Sequence, residues 1–211
     1  MNKLAIIAVA GLAAVATAEP LSAGNGSGGG NGAGVNLLDY ATVTQTRDIG
    51  YSIVTITFNS DIPSWDLEGD LDNFVADLNF GVAGTIHGIG WDVTQTSVGA
   101  SWGSEMVVSF ADQGSAAGLY LTPSGTAAAI TNENNASAGI VDLENAGIPD
   151  VVIASGVLSL EFFETFDDVA DDIDGWWLEG STITLDMFFV PAPGALALLG
   201  LGGLVSTRRR R

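Results

Sequence analysis

The sequence contains no cysteine and a single histidine, and only six of its 211 residues are basic. Without cysteine the chain can form neither disulfides nor thiolate metal sites. His87 alone cannot supply the second imidazole of a usual zinc site, and a Ser-His-Asp triad would have to use it. The Gly-x-Ser-x-Gly nucleophile elbow is also missing. We therefore expect His87 to be a hydrogen-bonded structural residue and the protein not to be an enzyme.

The basic residues are confined to Lys3, Arg47 and Arg208–Arg211. All 25 acidic residues lie between Glu19 and Asp186, where Arg47 is the one basic residue, so this part carries a formal charge of −24. Such a surface repels phosphates, which excludes nucleic acid as a partner. The absence of lysine from the same part also excludes Schiff-base chemistry.

The N-terminal segment has the three parts of a secretory signal peptide. Lys3 precedes an apolar run from Leu4 to Val15, and the run ends in Ala16-Thr17-Ala18, followed by Glu19. Small residues such as Ala16 and Ala18 occupy the positions that signal peptidase recognises. The pattern predicts a signal helix over residues 1–18 and a mature chain that begins at Glu19.

The C-terminal segment is a second targeting signal. Val190-Pro191-Ala192-Pro193 leads into an apolar stretch, residues 195–205, and the chain ends in Arg208, Arg209, Arg210 and Arg211. As a helix the apolar stretch is about 16 Å long, roughly half of a bilayer core. The arginines should remain cytoplasmic by the positive-inside rule, which places the residues between the two signals outside.

This tail resembles the PEP-CTERM sorting signal of bacteria, in which a Pro-x-Pro motif, an apolar segment and an arginine cluster follow one another. Ala192 stands where that family usually has glutamate, which leaves the cleavage position open. The resemblance implies recognition by an exosortase-type membrane enzyme and transient association with the inner membrane. It also implies localisation in the cell envelope or extracellular matrix, near polysaccharide. The alternative is a plain tail anchor.

The residues between the signals divide into a linker and one domain. Residues 19–35 are glycine-rich and predict a flexible linker. Residues 36–189 contain short runs of β-branched and aromatic residues, separated by Gly, Pro, Asn and Asp. They predict an all-β fold, an antiparallel β-sandwich of jelly-roll or related type, flanked by the signal helix and a short C-terminal apolar helix. The expected strands are Tyr51–Phe58, Thr85–Ile89, Trp91–Thr96, Met106–Phe110, Gly118–Thr122, Val151–Ile153, Val157–Phe163 and Thr182–Phe189. Residues 66–78 and 132–145 are expected to contribute a helical turn or two.

Two short segments are similar to the P-domain jelly rolls of secreted proteases. They are LYLTPSGT, residues 119–126, and Asp174-Gly175-Trp176-Trp177. The similarity covers about a dozen residues, and it favours a jelly roll over an immunoglobulin-like sandwich.

Two acidic loops are candidate calcium sites. The first contains Asp167, Asp168, Asp171, Asp172 and Asp174, and the second contains Asp66, Glu68, Asp70 and Asp72. Calcium takes six to eight oxygen ligands, so dense carboxylates suit it, although neither spacing fits an EF-hand loop. The alternative is a solvated acidic surface.

Three functions remain open. The chain could be a structural or adhesive envelope protein, a calcium-dependent carbohydrate-binding module, or a glycan-active hydrolase. The five tryptophans (Trp65, Trp91, Trp102, Trp176 and Trp177) could stack on sugars, although most are expected in the core. Glu161 and Glu164 are the carboxylate pair that a hydrolase would need. Residues three apart on a strand face opposite sides, however, which argues against that pair.

Overall fold

The computed structural model describes residues 21–23, 34–47, 50–168 and 172–190. The predicted signal helix and C-terminal apolar helix lie outside these residues. Within them the chain forms strands joined by turns and two one-turn 3-10 helices, Leu37–Asp39 and Gly103–Glu105. The all-β prediction is confirmed. None of the helices in these residues is both long enough and apolar enough to cross a membrane.

Fifteen strands make up the described chain. They are β1 (Leu21–Ala23), β2 (Val35–Asn36), β3 (Ala41–Arg47), β4 (Tyr51–Phe58), β5 (Ile62–Ser64), β6 (Phe74–Asn79), β7 (Gly84–Ser97), β8 (Met106–Asp112), β9 (Leu119–Leu121), β10 (Glu133–Ala136), β11 (Val141–Asp142), β12 (Val151–Ile153), β13 (Val157–Glu164), β14 (Gly175–Trp177) and β15 (Thr182–Phe189).

The strands form two sheets. The six-stranded sheet has the order β1-β9-β8-β13-β6-β2, and the nine-stranded sheet contains the path β3-β4-β15-β7-β14-β5. Strands β10, β11 and β12 pair with β7 beside this path. The β2–β6 pair is parallel, and the other described pairs are antiparallel.

The long strand β7 organises the nine-stranded sheet. The sequence predicts two strands here, Thr85–Ile89 and Trp91–Thr96, but they form one continuous strand of 14 residues. Gly90 does not interrupt it, because its neighbours on both sides keep their ladder pairs with β15. Gly88 has a packing role, since a Cβ atom there would lie 2.7 Å from Cγ2 of Ile140. The glycines therefore let the chain after β10 approach the strand closely.

One hydrophobic core contains side chains of both sheets. In β4 and β15 every second residue is buried, as a strand with one covered face requires. The ring of Phe162, from the six-stranded sheet, lies edge-on to Phe58 and Trp177, from the nine-stranded sheet, with centroid distances of 5.7 and 5.4 Å. These aromatic contacts connect the two sheets at the centre of the core.

The expected helical turns are largely replaced by strands. Residues 66–78 contain a loop and most of β6, and residues 132–145 contain β10 and β11. A short hydrogen-bonded turn does follow β11, where the N–H of Ala146 donates to the carbonyl of Asp142 at 3.1 Å. The polar sequence of β10 does not have the alternation typical of a strand, and pairing with β7 decides its conformation.

The predicted linker, residues 19–35, contains two strand segments. Leu21–Ala23 forms β1 and pairs with β9, and Val35 begins β2. The N–H of Gly34 donates to Oδ2 of Asp77 at 2.9 Å, so this glycine is attached to the sheet. Residues 24–33, the most glycine-rich part of the predicted linker, lie outside the described residues.

Candidate functional site

The acidic loop 66–73 leads into β6 and brings three aspartates together. Oxygens of Asp66, Asp70 and Asp72 lie within 4.8 Å of one another, the only such acidic group among the residues that the structure describes. Asp66 is buried, whereas Asp70 and Asp72 are exposed. This spacing would let the three carboxylates contact one cation. Three of the four acids predicted for this loop are therefore close neighbours.

Glu68, the fourth acid of that loop, is engaged elsewhere. The hydroxyl of Tyr120 is 2.8 and 2.9 Å from its two carboxylate oxygens and donates to the carboxylate. Burial raises the pKa of Glu68, the hydrogen bond from Tyr120 opposes this, and the charge of Glu161 raises it further. Glu68 therefore anchors the loop to the six-stranded sheet.

A buried glutamate on β13 holds the same loop in place. Oε1 of Glu161 accepts hydrogen bonds from the N–H of Gly69 at 2.6 Å and from Nδ2 of Asn73 at 2.9 Å. Oδ1 of Asn73 in turn accepts from the N–H of Asp66 at 3.0 Å. Charge-assisted hydrogen bonds of this kind are roughly twice as strong as neutral ones. The loop conformation therefore depends on a residue about 90 positions away in the sequence.

A shallow groove of about 340 Å³ runs beside this loop. Trp65, Asp70, Asp72 and Asn73 are among the residues that line it. Trp65 is half-buried, so part of its indole remains available at the surface. The groove therefore combines an aromatic side chain with the carboxylates of the loop.

The second acidic segment, residues 167–174, does not form a single cluster. Asp174 is fully buried, Asp167 and Asp168 are half-buried, and Asp172 is exposed. The carboxylate of Asp172 accepts from the N–H of Ile173 at 2.8 Å. Asp171 lies outside the described residues. Asp174, Asp167 and Asp168 therefore lie near one another, whereas Asp172 faces solvent.

Two glutamates that the sequence analysis did not assign to this site approach Asp174. Glu164, at the end of β13, is fully buried, and the charges of Asp174, Glu105 and Asp168 act on it. Burial is the main cause that raises the pKa of Glu164 to about 9, with these three charges adding to it and the Ser64 hydroxyl opposing it. Burial likewise raises the pKa of Asp174 and of Glu105. The sequence signal for Glu164 is a glutamate directly after the aromatic pair Phe162-Phe163 in a largely apolar strand.

Glu161 and Glu164 do not form a hydrolase pair. Glu161 contacts Gly69 and Asn73 in the loop outside the six-stranded sheet. Glu164 lies two residues after Phe162 on β13, so the two side chains point to the same side of the sheet, and the ring of Phe162 lies in the core. Two catalytic carboxylates must face one sugar ring, and these two lie on opposite sides of a strand.

The remaining predicted residues have separate positions. Nδ1 of His87 is 2.6 Å from Oδ2 of Asp150, which fits the expected structural role of the histidine. Trp91 and Trp177 are core residues, while Trp102 is 45% exposed. Val190 follows β15, and its N–H donates to the carbonyl of Ala83 at 3.0 Å. The other sorting residues (Pro191, Ala192, Pro193 and Arg208–Arg211) and the cleavage residues Ala16, Ala18 and Glu19 lie outside the described residues.

Comparison with protein-family models, curated proteins and solved structures finds no match to this chain.

Proposed function

We propose that this chain is exported from a bacterial cell and serves in the cell envelope as a structural or adhesive protein associated with extracellular polysaccharide. The signal-peptide pattern of residues 1–18 and the PEP-CTERM-like tail from Val190 support export and sorting. Signal peptidase and an exosortase-type membrane enzyme would be its processing partners. The two sheets with one shared core favour an antiparallel sandwich of jelly-roll or related type as the displayed domain.

The observation that carries the adhesive function is a patch of uncharged hydroxyls on the nine-stranded sheet, bordered by Asp92 and Asp186. Six threonines of β3, β4 and β15 are exposed or half-buried and form two rows across these strands. The rows, taken from the strand register, are Thr42–Thr57–Thr182 and Thr44–Thr55–Thr184. Neighbouring strands are about 4.8 Å apart, so hydroxyl and methyl groups repeat at that spacing. A neutral, hydroxyl-rich polysaccharide could lie along these rows without facing the repulsion that the acidic surface exerts on anions.

Polysaccharide binding by the full-length chain, purified in mild detergent, tests this proposal. Replacing Thr44, Thr55 and Thr57 together by valine removes three hydroxyls while keeping the shape and strand preference of the side chains. We expect this variant to sediment with insoluble envelope polysaccharide several-fold less than the unchanged chain. Thr131→Val, at an exposed position before β10, is the matched control and should bind normally. Equal binding by all three proteins would contradict the role of the threonine rows.

The groove beside loop 66–73 favours a second candidate function, a calcium-dependent carbohydrate-binding module. Trp65 could stack on a sugar ring while calcium, held by Asp66, Asp70 and Asp72, contacts its hydroxyls. A glycan array with calcium and with chelator tests this candidate. Trp65→Ala should lose the calcium-dependent signals, and Trp102→Ala, an exposed tryptophan away from the groove, should keep them. Signals that are unaffected by chelator would exclude this candidate.

A further inference from the structure

Glu164 and Asp174 are buried acids, and most of their carboxylate oxygens have no hydrogen-bond donor among the described residues. Both side chains are completely excluded from solvent. Within the described residues, both oxygens of Glu164 and Oδ1 of Asp174 have no hydrogen-bond partner, and neither does the buried Oδ1 of Asp167. Buried carboxylates are normally paired or hydrogen-bonded, because their removal from water is otherwise strongly unfavourable. These acids therefore need a partner that the neighbouring side chains do not supply.

No basic side chain pairs with this cluster among the residues that the structure describes. Among the side chains that the structure describes, the only ion pair is His87–Asp150, which does not involve the cluster. The part of the chain from Glu19 to Asp186 contains no lysine, and Arg47 is its one arginine. Within the described part of the chain, a proton or a cation from solution is therefore the partner left to balance the negative charge.

Two serine hydroxyls lie beside the two acids. The hydroxyls of Ser64 and Ser101 lie next to the carboxylates of Glu164 and Asp174 respectively. Both hydroxyl oxygens are buried and lack a well-oriented hydrogen bond among the described residues. Carboxylates and hydroxyls are oxygen donors, the kind of ligand that calcium and magnesium prefer.

The backbone at Gly175, directly after Asp174, lies close to the side chain of Glu164. The next residue, Gly175, is buried, and a Cβ atom there would lie 3.2 Å from Oε1 of Glu164 and 2.6 Å from Cε of Met106. The N–H of Asp174 donates to the carbonyl of Ser64 at 3.0 Å, and the N–H of Asp168 donates to Oδ2 of Asp174 at 3.3 Å. The backbone thus fixes Asp174 in place, with one of its oxygens left without a donor.

We propose that Glu164 and Asp174 are the central ligands of a calcium ion that links the two sheets. Glu164 belongs to the six-stranded sheet, and Asp174 immediately precedes β14 of the nine-stranded sheet. Asp168 and Glu105, with the two serine hydroxyls, supply further oxygens for the six to eight ligands that calcium takes. The ligand oxygens of this set lie farther apart than those of Asp66, Asp70 and Asp72. Calcium binding therefore brings the half-buried side chain of Asp168 or Glu105 closer to Glu164 and Asp174. The proposal is independent of the proposed function.

Thermal unfolding of the full-length chain in mild detergent tests the site. The chain is compared in chelator, in millimolar calcium and in millimolar magnesium, with ionic strength matched by sodium chloride, because salt alone relieves repulsion in so acidic a protein. We expect calcium to raise the melting temperature by several degrees more than magnesium does, since a cation that binds only the folded state stabilises it. Glu164→Gln keeps the shape of the side chain and should at least halve this calcium-specific shift.

Two control variants show which acidic site causes the calcium-specific shift in melting temperature. Glu161→Gln changes an equally buried glutamate of the same strand, and Asp70→Asn with Asp72→Asn disables the exposed group in loop 66–73. Both controls should retain the shift that Glu164→Gln removes. A shift that persists in Glu164→Gln and disappears with the Asp70 and Asp72 changes would overturn the proposal and assign calcium to the exposed loop. Equal melting temperatures in calcium, in magnesium and in matched sodium chloride would also overturn it, and would leave a proton as the partner of these acids.

Discussion

Glu161 and Glu164 are three residues apart on β13, and each contacts a different acidic segment of the chain. Glu161 binds the loop 66–73 outside the six-stranded sheet, and Glu164 lies near Asp174 and Asp168 beside the core. One strand therefore organises both acidic segments. The two glutamates do so differently, because Glu161 accepts well-oriented hydrogen bonds from the loop, whereas Glu164 has only the nearby Ser64 hydroxyl.

In the absence of divalent cations, the stability of the protein should fall as the pH rises. The pKa of Glu164 is raised from 4.5 to about 9 in the folded state, with Asp174, Glu105 and Asp168 as the charged groups that face it. Between these values the folded state holds a proton that the unfolded state has lost, so the contribution of Glu164 to stability is fully present below pH 4.5 and is lost towards pH 9. The expected slope is about 1.4 kcal/mol per pH unit.

Urea unfolding at pH 6 and pH 8, in chelator and high salt, measures this slope. Glu164→Gln is the control, because it cannot titrate and should flatten the dependence. A free energy of unfolding that rises from pH 6 to pH 8 in chelator would show that Glu164 is already ionised in the folded state.

Removing the anchor of loop 66–73 should destabilise the protein. Glu161→Ala leaves the N–H of Gly69 and the side-chain amide of Asn73 without their acceptor, at an expected cost of about 2–4 kcal/mol. Glu144→Ala removes an exposed glutamate and should cost less than about 0.5 kcal/mol. Chemical unfolding of both variants makes the comparison, and similar costs would mean that Glu161 does not hold the loop.

The aromatic contact between the sheets should contribute strongly to stability. Phe162 is fully buried between Phe58 and Trp177, and Phe162→Ala should cost about 3–5 kcal/mol through the lost contacts and the cavity. Phe166→Ala is the matched control, because Phe166 is 59% exposed. Equal midpoints of urea unfolding for the two variants would argue against one core shared by both sheets.

Replacing residues 24–33 by glycine and serine at unchanged length should leave the melting temperature nearly unchanged. Seven of the eleven residues from Gly24 to Gly34 are glycine, and the others are too small or too polar to bury much apolar surface. The length is kept because β1 and β2, which flank this segment, lie at opposite edges of the six-stranded sheet. Gly34 is retained because its N–H binds Asp77. A decrease of several degrees would show that the replaced residues pack against the domain.

Export and sorting predict two processing events in the native host. N-terminal sequencing of the exported protein should begin at Glu19, and recovery of Met1 on that form would contradict the signal-peptide prediction. Replacing Arg208–Arg211 by glutamates should leave the tail unsorted, because the positive-inside signal is lost. Intact-mass analysis of the variant gives the result, and normal processing would argue against a role for the arginines.

Local sequence patterns predicted the long strands well. Tyr51–Phe58 and Thr182–Phe189 form β4 and β15 with the predicted bounds, because alternating apolar residues match a strand with one buried face. The same reasoning missed β3 and misread β10, whose conformation depends on pairing with β7. At β7 the sequence predicts a break at Gly90, but this glycine provides room for a neighbouring segment and does not end the strand.

The sequence alone determined the charge distribution, the strand-rich domain, the candidate signals at both ends and the positions of the dense carboxylates, because composition and local periodicity carry this information. Only the tertiary structure decided which acids are buried. Asp172 and Asp174 are two residues apart, yet one is exposed and the other is enclosed beside Glu164, ten residues earlier in the chain. Burial depends on which distant segments cover a side chain, and for Asp174 these are the segments around Ser64 and Ser101. No local pattern contains those contacts.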